Sequence, residues 1–187
     1  SFLSLGIMSG TSMDGIDCCL ADIMLTSSYD FKYKIIQEKY IPFSNIDINK
    51  IKKAINNTAS FNDELDEYLG KLYSDIINKY FNSKKIDIIS IHGQTISHIN
   101  REHSIQVGSP KYLYDSFKIP IIYNFRKQDI EASGCGAPLI PFLDWLLFKN
   151  SNYDTITLNI GGIANISYIP KNCCIENIIG FDTGPGM

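Results

Sequence analysis

The chain has 187 residues, 44% of them hydrophobic and 20% charged, a globular composition with enough apolar side chain for a sizeable core. Seventeen Lys and Arg against 20 Asp and Glu give a formal net charge of −3, so no basic excess exists to neutralise a run of phosphates, and a nucleic-acid partner is not expected. No apolar run reaches the roughly 18–20 residues that span a bilayer, and no secretory leader is recognisable, so the expectation is a cytoplasmic protein without membrane contact.

Leu3 to Met8 is a short apolar run that stops at Ser9-Gly10-Thr11-Ser12-Met13-Asp14-Gly15 and resumes over Ile16 to Leu25. This pattern reads as strand, Gly-bounded turn, strand. Lys34 to Phe43 predicts a third strand, limited by Pro42. Asn45 to Asn57 and Asn62 to Phe81 show helical spacing. In the second, Leu65, Leu69, Leu72, Ile76 and Tyr80 share a face, and Asn62-Asp63-Glu64 suit the positive end of a helix dipole. Ile86 to Ile91 reads as a buried parallel strand ending in a polar loop, His92-Gly93-Gln94-Thr95, and such carboxyl ends are where open α/β sheets bind ligands. Ser109 to Phe117 predicts a helix with Pro at its first position. A strand over Ile119 to Tyr123 then gives way to the polar Asn124-Phe125-Arg126. Ser133 to Pro138 is a Gly-rich loop, and Leu139 to Phe148 an apolar helix. The alternation places the chain in the α/β class.

After Asn150-Ser151-Asn152 the pattern restarts with a strand over Asp154 to Ile160, a Gly161-Gly162 turn, a strand over Ile163 to Ile169 and another over Ile178 to Phe181. The order of elements repeats the opening of the chain, so a second unit is expected to begin near residue 150. Five cysteines, Cys18-Cys19, Cys135 and Cys173-Cys174, include no CxxC and are expected to be buried reduced thiols.

Three stretches and two single residues could carry chemistry. Gly10-Thr11-Ser12-Met13-Asp14-Gly15 offers backbone amides, two hydroxyls and a carboxylate, which could cradle a phosphate and hold Mg²⁺; an ordinary hairpin turn is the plainer reading. Asn159-Ile160-Gly161-Gly162 is a second glycine hairpin, and the two together suggest a nucleotide held between them. His92 to His98 carries two imidazoles without a third metal ligand, which favours structural or substrate-orienting histidines. Arg126 could grip a carboxylate or phosphate, or simply pair with Asp129 or another carboxylate. Asp182, at the end of an apolar strand and among small residues, could accept a proton or could cap a turn.

The segments GIMSGTSMDGID at 6–17, HGQTISH at 92–98, QVGSP at 106–110, FRKQD at 125–129, GAPLIPFLDWLLF at 136–148, LNIGGIANIS at 158–167 and GFDTGPG at 180–186 together resemble the anhydro-N-acetylmuramic acid kinase family of bacterial cell-wall recycling. The resemblance implies an actin/Hsp70/sugar-kinase-like two-lobed fold. Residues 1–150 would be a complete first α/β lobe, and 151–187 the opening strands of a truncated second lobe. It implies that ATP, with Mg²⁺, phosphorylates 1,6-anhydro-N-acetylmuramic acid while water opens the anhydro ring, giving N-acetylmuramic acid 6-phosphate. By position, Gly10, Thr11, Ser12, Met13, Asp14, Gly15, Ile16 and Asp17 would form the first phosphate-binding segment, with Asp14 at the metal, and Asn159, Gly161 and Gly162 the second. Thr95 and Arg126 would hold the sugar, and Asp182 would be the base. The family usually carries Asp where Asn124 stands and Gly-Gly-Gln-Gly where Ser133-Gly134-Cys135-Gly136 stands. The resemblance is also compatible with a homodimer. The alternative reading is a non-catalytic remnant, or half of a split kinase that needs a second polypeptide.

Overall fold

In the computed structural model, which describes residues 1–56, 62–82 and 84–186, the chain opens as three consecutive strands: β1 (Phe2–Ser9), β2 (Gly15–Leu25) and β3 (Phe31–Pro42). They form an antiparallel meander, as the apolar runs predict. Two helices follow, α1 (Asn45–Asn56) and α2 (Asp63–Tyr80). The expected end of α1 at Asn57 lies outside the described residues. Asn62 caps α2 by accepting the Leu65 amide at 2.8 Å, so the acidic first turn begins at a polar cap rather than inside the helix.

Alternation along β1 sends Leu5 and Ile7 to one face of the sheet, where they meet Leu69, Tyr73 and Ile77 of α2 and Ile51 of α1 in one buried cluster. Each such side chain taken out of water contributes about 1.5–3 kcal/mol. Gly6 and Met8 point the other way, into an open cleft of about 1080 Å³ that is also lined by Asp17, Tyr40, His92 and Leu143.

The sheet continues through β4 (Ile88–Ile99), β5 (His103–Val107) and the short β6 (Ile121–Ile122), in the order β3-β2-β1-β4-β5 with β6 beside β4. Here the expected polar loop at 92–95 is corrected: the segment is the middle of a 12-residue strand. The reason is a change of partner. β4 runs parallel to β1 as far as Gln94, and from Gln94 onward it pairs antiparallel with β5, so its backbone groups never lack a ladder. Gly93 makes the handover possible, with φ +74 and a Cα so close to β5 that a Cβ would lie 2.8 Å from the Val107 carbonyl oxygen.

Three further helices follow: α3 (Pro110–Phe117), α4 (Phe125–Glu131) and α5 (Ile140–Phe148). The sequence expectation treats residues from Asn124 as the polar end of a strand, whereas Asn124 adopts the left-handed conformation (φ 62) and turns the chain into α4. A second, three-stranded antiparallel sheet follows, made of β7 (Thr155–Ile160), β8 (Ile163–Ile169) and β9 (Ile179–Pro185) in that order. The restart after residue 150 is therefore a meander like the first. Buried Asp144 of α5 accepts hydroxyl hydrogen bonds from Thr157 and Ser167, which anchors the helix on one face of this sheet. The opposite face is apolar and exposed: Ile156 is 67%, Leu158 58%, Ile160 56% and Phe181 49% accessible. Of the cysteines, Cys18 alone is buried, its thiol pushed up to about 12 chiefly by desolvation; Cys19, Cys135 and Cys173 are half-buried and Cys174 is exposed. The expectation that all five are buried is corrected accordingly.

Candidate functional site

The hairpin between β1 and β2 is fastened at its base. Met13, with φ 54, donates its amide to the Gly10 carbonyl at 3.2 Å, and the Asp14 carbonyl accepts both the Tyr40 hydroxyl at 2.9 Å and the Phe43 amide at 3.0 Å. Gly15 cannot be larger, since a Cβ there would stand 2.5 Å from the Ile41 carbonyl oxygen. Ile16 is fully buried in the core, so the hairpin offers its backbone at that position and the side chain stays inside. Thr11, Ser12, Asp14 and Asp17 are exposed.

The second glycine hairpin lies directly against the first. A Cβ on Gly162 would sit 3.3 Å from the Thr11 hydroxyl oxygen and 3.6 Å from the Ser12 amide nitrogen. Gly161 and Gly162 are backed by Gly186, whose amide donates to the Gly162 carbonyl at 3.2 Å. Two backbone turns thus pack against each other, and the absence of a side chain at Gly162 permits the close approach. The Ser12 hydroxyl donates to the Asp14 carboxylate. The Asp17 carboxyl is raised above its ordinary value by partial desolvation and then by the charge of Asp14. Two exposed carboxylates that repel one another present hard oxygens suited to a hydrated Mg²⁺, so the donor set fits that ion.

On β4 the polar residues are aimed by irregularities in the ladder. Ile7 pairs with Ile91 and Met8 with Gly93, which leaves His92 as the extra residue of a bulge, and Thr95 borders a second bulge at Ile96. Asp182 also differs from expectation. It lies within β9 instead of at a strand end, and the shift in pairing from Asn165–Asp182 to Ala164–Gly184 makes Thr183 a bulge beside it. Asp182 is exposed there.

Arg126, at the start of α4, links these pieces. Its Nε donates to His92 Nε2 at 2.9 Å and its Nη1 to the Gly136 carbonyl at 2.9 Å. Because guanidinium can only donate, His92 Nε2 is the acceptor and Nδ1 carries the proton, donated to the Gly93 carbonyl at 2.8 Å. Burial and then the Arg126 charge hold His92 below its ordinary pKa, which matches a neutral ring. Burial also lowers Arg126, and the charge of Asp182 works in the opposite direction, so the Asp182 carboxylate acts on the guanidinium through space. Asp129 is not the partner of Arg126 that the sequence permits. Its carboxylate accepts the Gly136 amide at 2.7 Å and so holds the loop whose carbonyl receives Arg126.

Thr95 is similarly prepared. Gln106, opposite it on β5, donates its side-chain amide to the Thr95 hydroxyl oxygen at 3.2 Å, which leaves the Thr95 hydroxyl hydrogen to donate elsewhere. His98 bonds Ser104 and Asn100 and serves the β4–β5 hairpin. The structure therefore joins Arg126 to His92 and sets the two hairpins side by side. Sequence reasoning missed His92 as an acceptor, Asp129 as a loop anchor and Gln106 as the partner of Thr95. Only the register of β4 on β5 and the start of α4 reveal them.

A family model described as "Anhydro-N-acetylmuramic acid kinase" matches residues 2–187. A protein named anhydro-N-acetylmuramic acid kinase from Clostridioides difficile (strain 630) is 38% identical over 202 residues, covering 98% of this chain and 51% of its own length. Its namesake from Francisella tularensis subsp. novicida (strain U112) is 39% identical over 196 residues, and that from Bacillus cereus (strain AH187) 34% identical over 195 residues. The chain spans about half the length of the curated relatives it matches.

Proposed function

Since the chain belongs to the anhydro-N-acetylmuramic acid kinase family, we propose that it supplies the sugar-binding half, the first phosphate hairpin and the base of a kinase acting on 1,6-anhydro-N-acetylmuramic acid in cytoplasmic peptidoglycan recycling. In this reading residues 1–150 are the first lobe of a two-lobed fold and 151–187 open the second. The observation that carries it is the Arg126 cluster. A guanidinium held by neutral His92 and the Gly136 carbonyl has a fixed orientation and keeps N–H groups that these two bonds do not use, as recognition of a polar sugar requires.

The proposed reaction adds water to C1 of the sugar as the C1–O6 bond breaks, and O6 takes the γ-phosphoryl group of ATP, releasing ADP. The Asp182 carboxylate takes the proton from the water. Thr95 donates its hydroxyl hydrogen to a sugar oxygen, Arg126 holds a second acceptor, and the facing hairpins Gly10–Asp17 and Asn159–Gly162 position the phosphates. Asp14, with Asp17 near, would hold Mg²⁺, whose chemistry there would be neutralisation of phosphate charge, and the rest of catalysis is positioning and electrostatics. The exposed apolar face of the second sheet, Ile156, Leu158, Ile160 and Phe181, would be covered by the half of the family fold that the relatives have in addition.

Calorimetric titration of the chain with 1,6-anhydro-N-acetylmuramic acid tests the sugar site. Saturable binding is expected, weakened about 5- to 10-fold in Thr95→Val, the worth of one ordinary hydrogen bond. Absence of binding, or affinity unchanged by that substitution, contradicts the assignment of Thr95.

A further inference from the structure

Gln94 is 0% exposed, and its side chain stands where three strands meet: it pairs with Ser9 of β1 on one side and with Val107 of β5 on the other. Its amide nitrogen donates to the Gly10 carbonyl at 3.0 Å and to the Thr95 carbonyl at 3.2 Å. Two carbonyls require the NH₂ end of the amide to face them, so the orientation is set by the partners. Both amide hydrogens are consumed. The oxygen, Gln94 Oε1, is buried without a hydrogen-bond partner among the described residues. A buried acceptor left idle costs about 1–3 kcal/mol relative to a satisfied one, so this side chain is an expensive way to fill space that a Leu or Met would occupy.

We propose that Gln94 is a positioning residue that couples the two substrate sites: one NH₂ group clamps the phosphate-binding hairpin, at Gly10, to the sugar-binding strand, at Thr95. The inference rests on the kinase reading given above. Gly10 opens the hairpin and Thr95 carries the hydroxyl aimed at the sugar, so any displacement of one carbonyl draws the shared nitrogen away from the other. Filling the hairpin with phosphate fixes the Gly10 carbonyl, and the clamp passes that ordering to Thr95. By reciprocity, sugar at Thr95 orders the hairpin to the same degree. The same hairpin carbonyl accepts the Met13 amide, so the clamp also steadies the turn when no ligand is bound.

The test uses the chain, 1,6-anhydro-N-acetylmuramic acid and a magnesium complex of a non-hydrolysable ATP analogue. In the wild type, saturating nucleotide is expected to tighten sugar binding about tenfold, within the usual range of coupling between sites. Gln94→Met keeps the length and volume and is expected to bind each ligand alone within about threefold of wild type while the coupling falls to about onefold, each site keeping its own contacts. Without ligands, hydrogen exchange at the Met13 amide is expected to quicken about 5- to 10-fold, as loss of one hydrogen bond from the turn implies. If Gln94→Met does not fold, Gln94→Leu also lacks both donors and is expected to give the same uncoupling. Coupling and Met13 exchange that are both untouched by these substitutions overturn the clamp while leaving the kinase reading in place. A wild-type chain that binds neither ligand overturns the kinase reading, and the coupling with it.

Discussion

Asp182→Asn is expected to abolish sugar phosphorylation, lowering kcat by about 10²–10⁴-fold, the usual worth of a positioned general base. The substitution keeps the size and shape of the side chain and removes only its ability to take a proton. Asp182 is exposed, on β9 beside the Thr183 bulge, so the variant's unfolding free energy is expected to stay within about 0.5 kcal/mol of wild type. That separation makes the experiment decisive, because a folded, sugar-binding and inactive variant has lost chemistry and not structure. The assay is ADP release in the presence of the other half of a family member, with sugar affinity measured alongside. Undiminished turnover in Asp182→Asn contradicts the assignment of the base.

The second large effect is expected at Arg126. Arg126→Lys retains the charge and loses the fork that reaches His92 and Gly136 together, and sugar affinity should fall about 10- to 100-fold, as expected for charge-assisted hydrogen bonds worth about 1.5–3 kcal/mol. The same network makes binding sensitive to acid. The pKa of His92 is lowered in the folded chain, by burial first and by Arg126 second, so the unfolded chain takes up this proton at the higher pH. The stability that neutral His92 contributes is therefore fully present above the ordinary histidine value of about 6.5 and is lost as pH falls through the lower folded value. Protonation removes the Nε2 acceptor and sets a cation against Arg126, so sugar affinity should weaken over the same interval. His92→Gln keeps an acceptor near that position without a titrating ring and is expected to flatten the dependence. A pH profile of affinity and melting temperature that is identical in the two proteins contradicts the tautomer and its role.

Much of the scaffold is legible in the sequence because local pattern and tertiary demand agree. The meander β1 to β3, the leucine-faced α2 and the restart at β7 follow from period-2 and period-3.6 spacing with turn residues between. The site is harder to read, because its geometry depends on partners far along the chain. Nothing in His92-Gly93-Gln94-Thr95 marks a strand interior; the segment is extended because β1 and β5 share it in turn. The seven-residue α4 is too short for a periodic signal, and its start depends on one left-handed residue, Asn124. Thr183-Gly184-Pro185 has the composition of a strand terminus yet pairs with β8, which puts Asp182 inside the strand. Arg126 and His92 are 34 residues apart, and a contact of that separation leaves no local trace. Motif order points to Thr95 and Arg126, whereas the groups that hold them, Gln106 and His92, with Asp129 behind the Gly136 loop, emerge only from the register of β4 on β5 and the start of α4.

The most direct measurement incubates the chain with Mg²⁺, ATP and 1,6-anhydro-N-acetylmuramic acid, alone and together with a polypeptide carrying the other half of a family member. ADP and N-acetylmuramic acid 6-phosphate are quantified in both. Little ADP is expected from the chain alone, and ADP with ring-opened sugar phosphate in equal amounts from the mixture. ADP released without sugar phosphate, or no turnover in the mixture, would contradict the kinase reading.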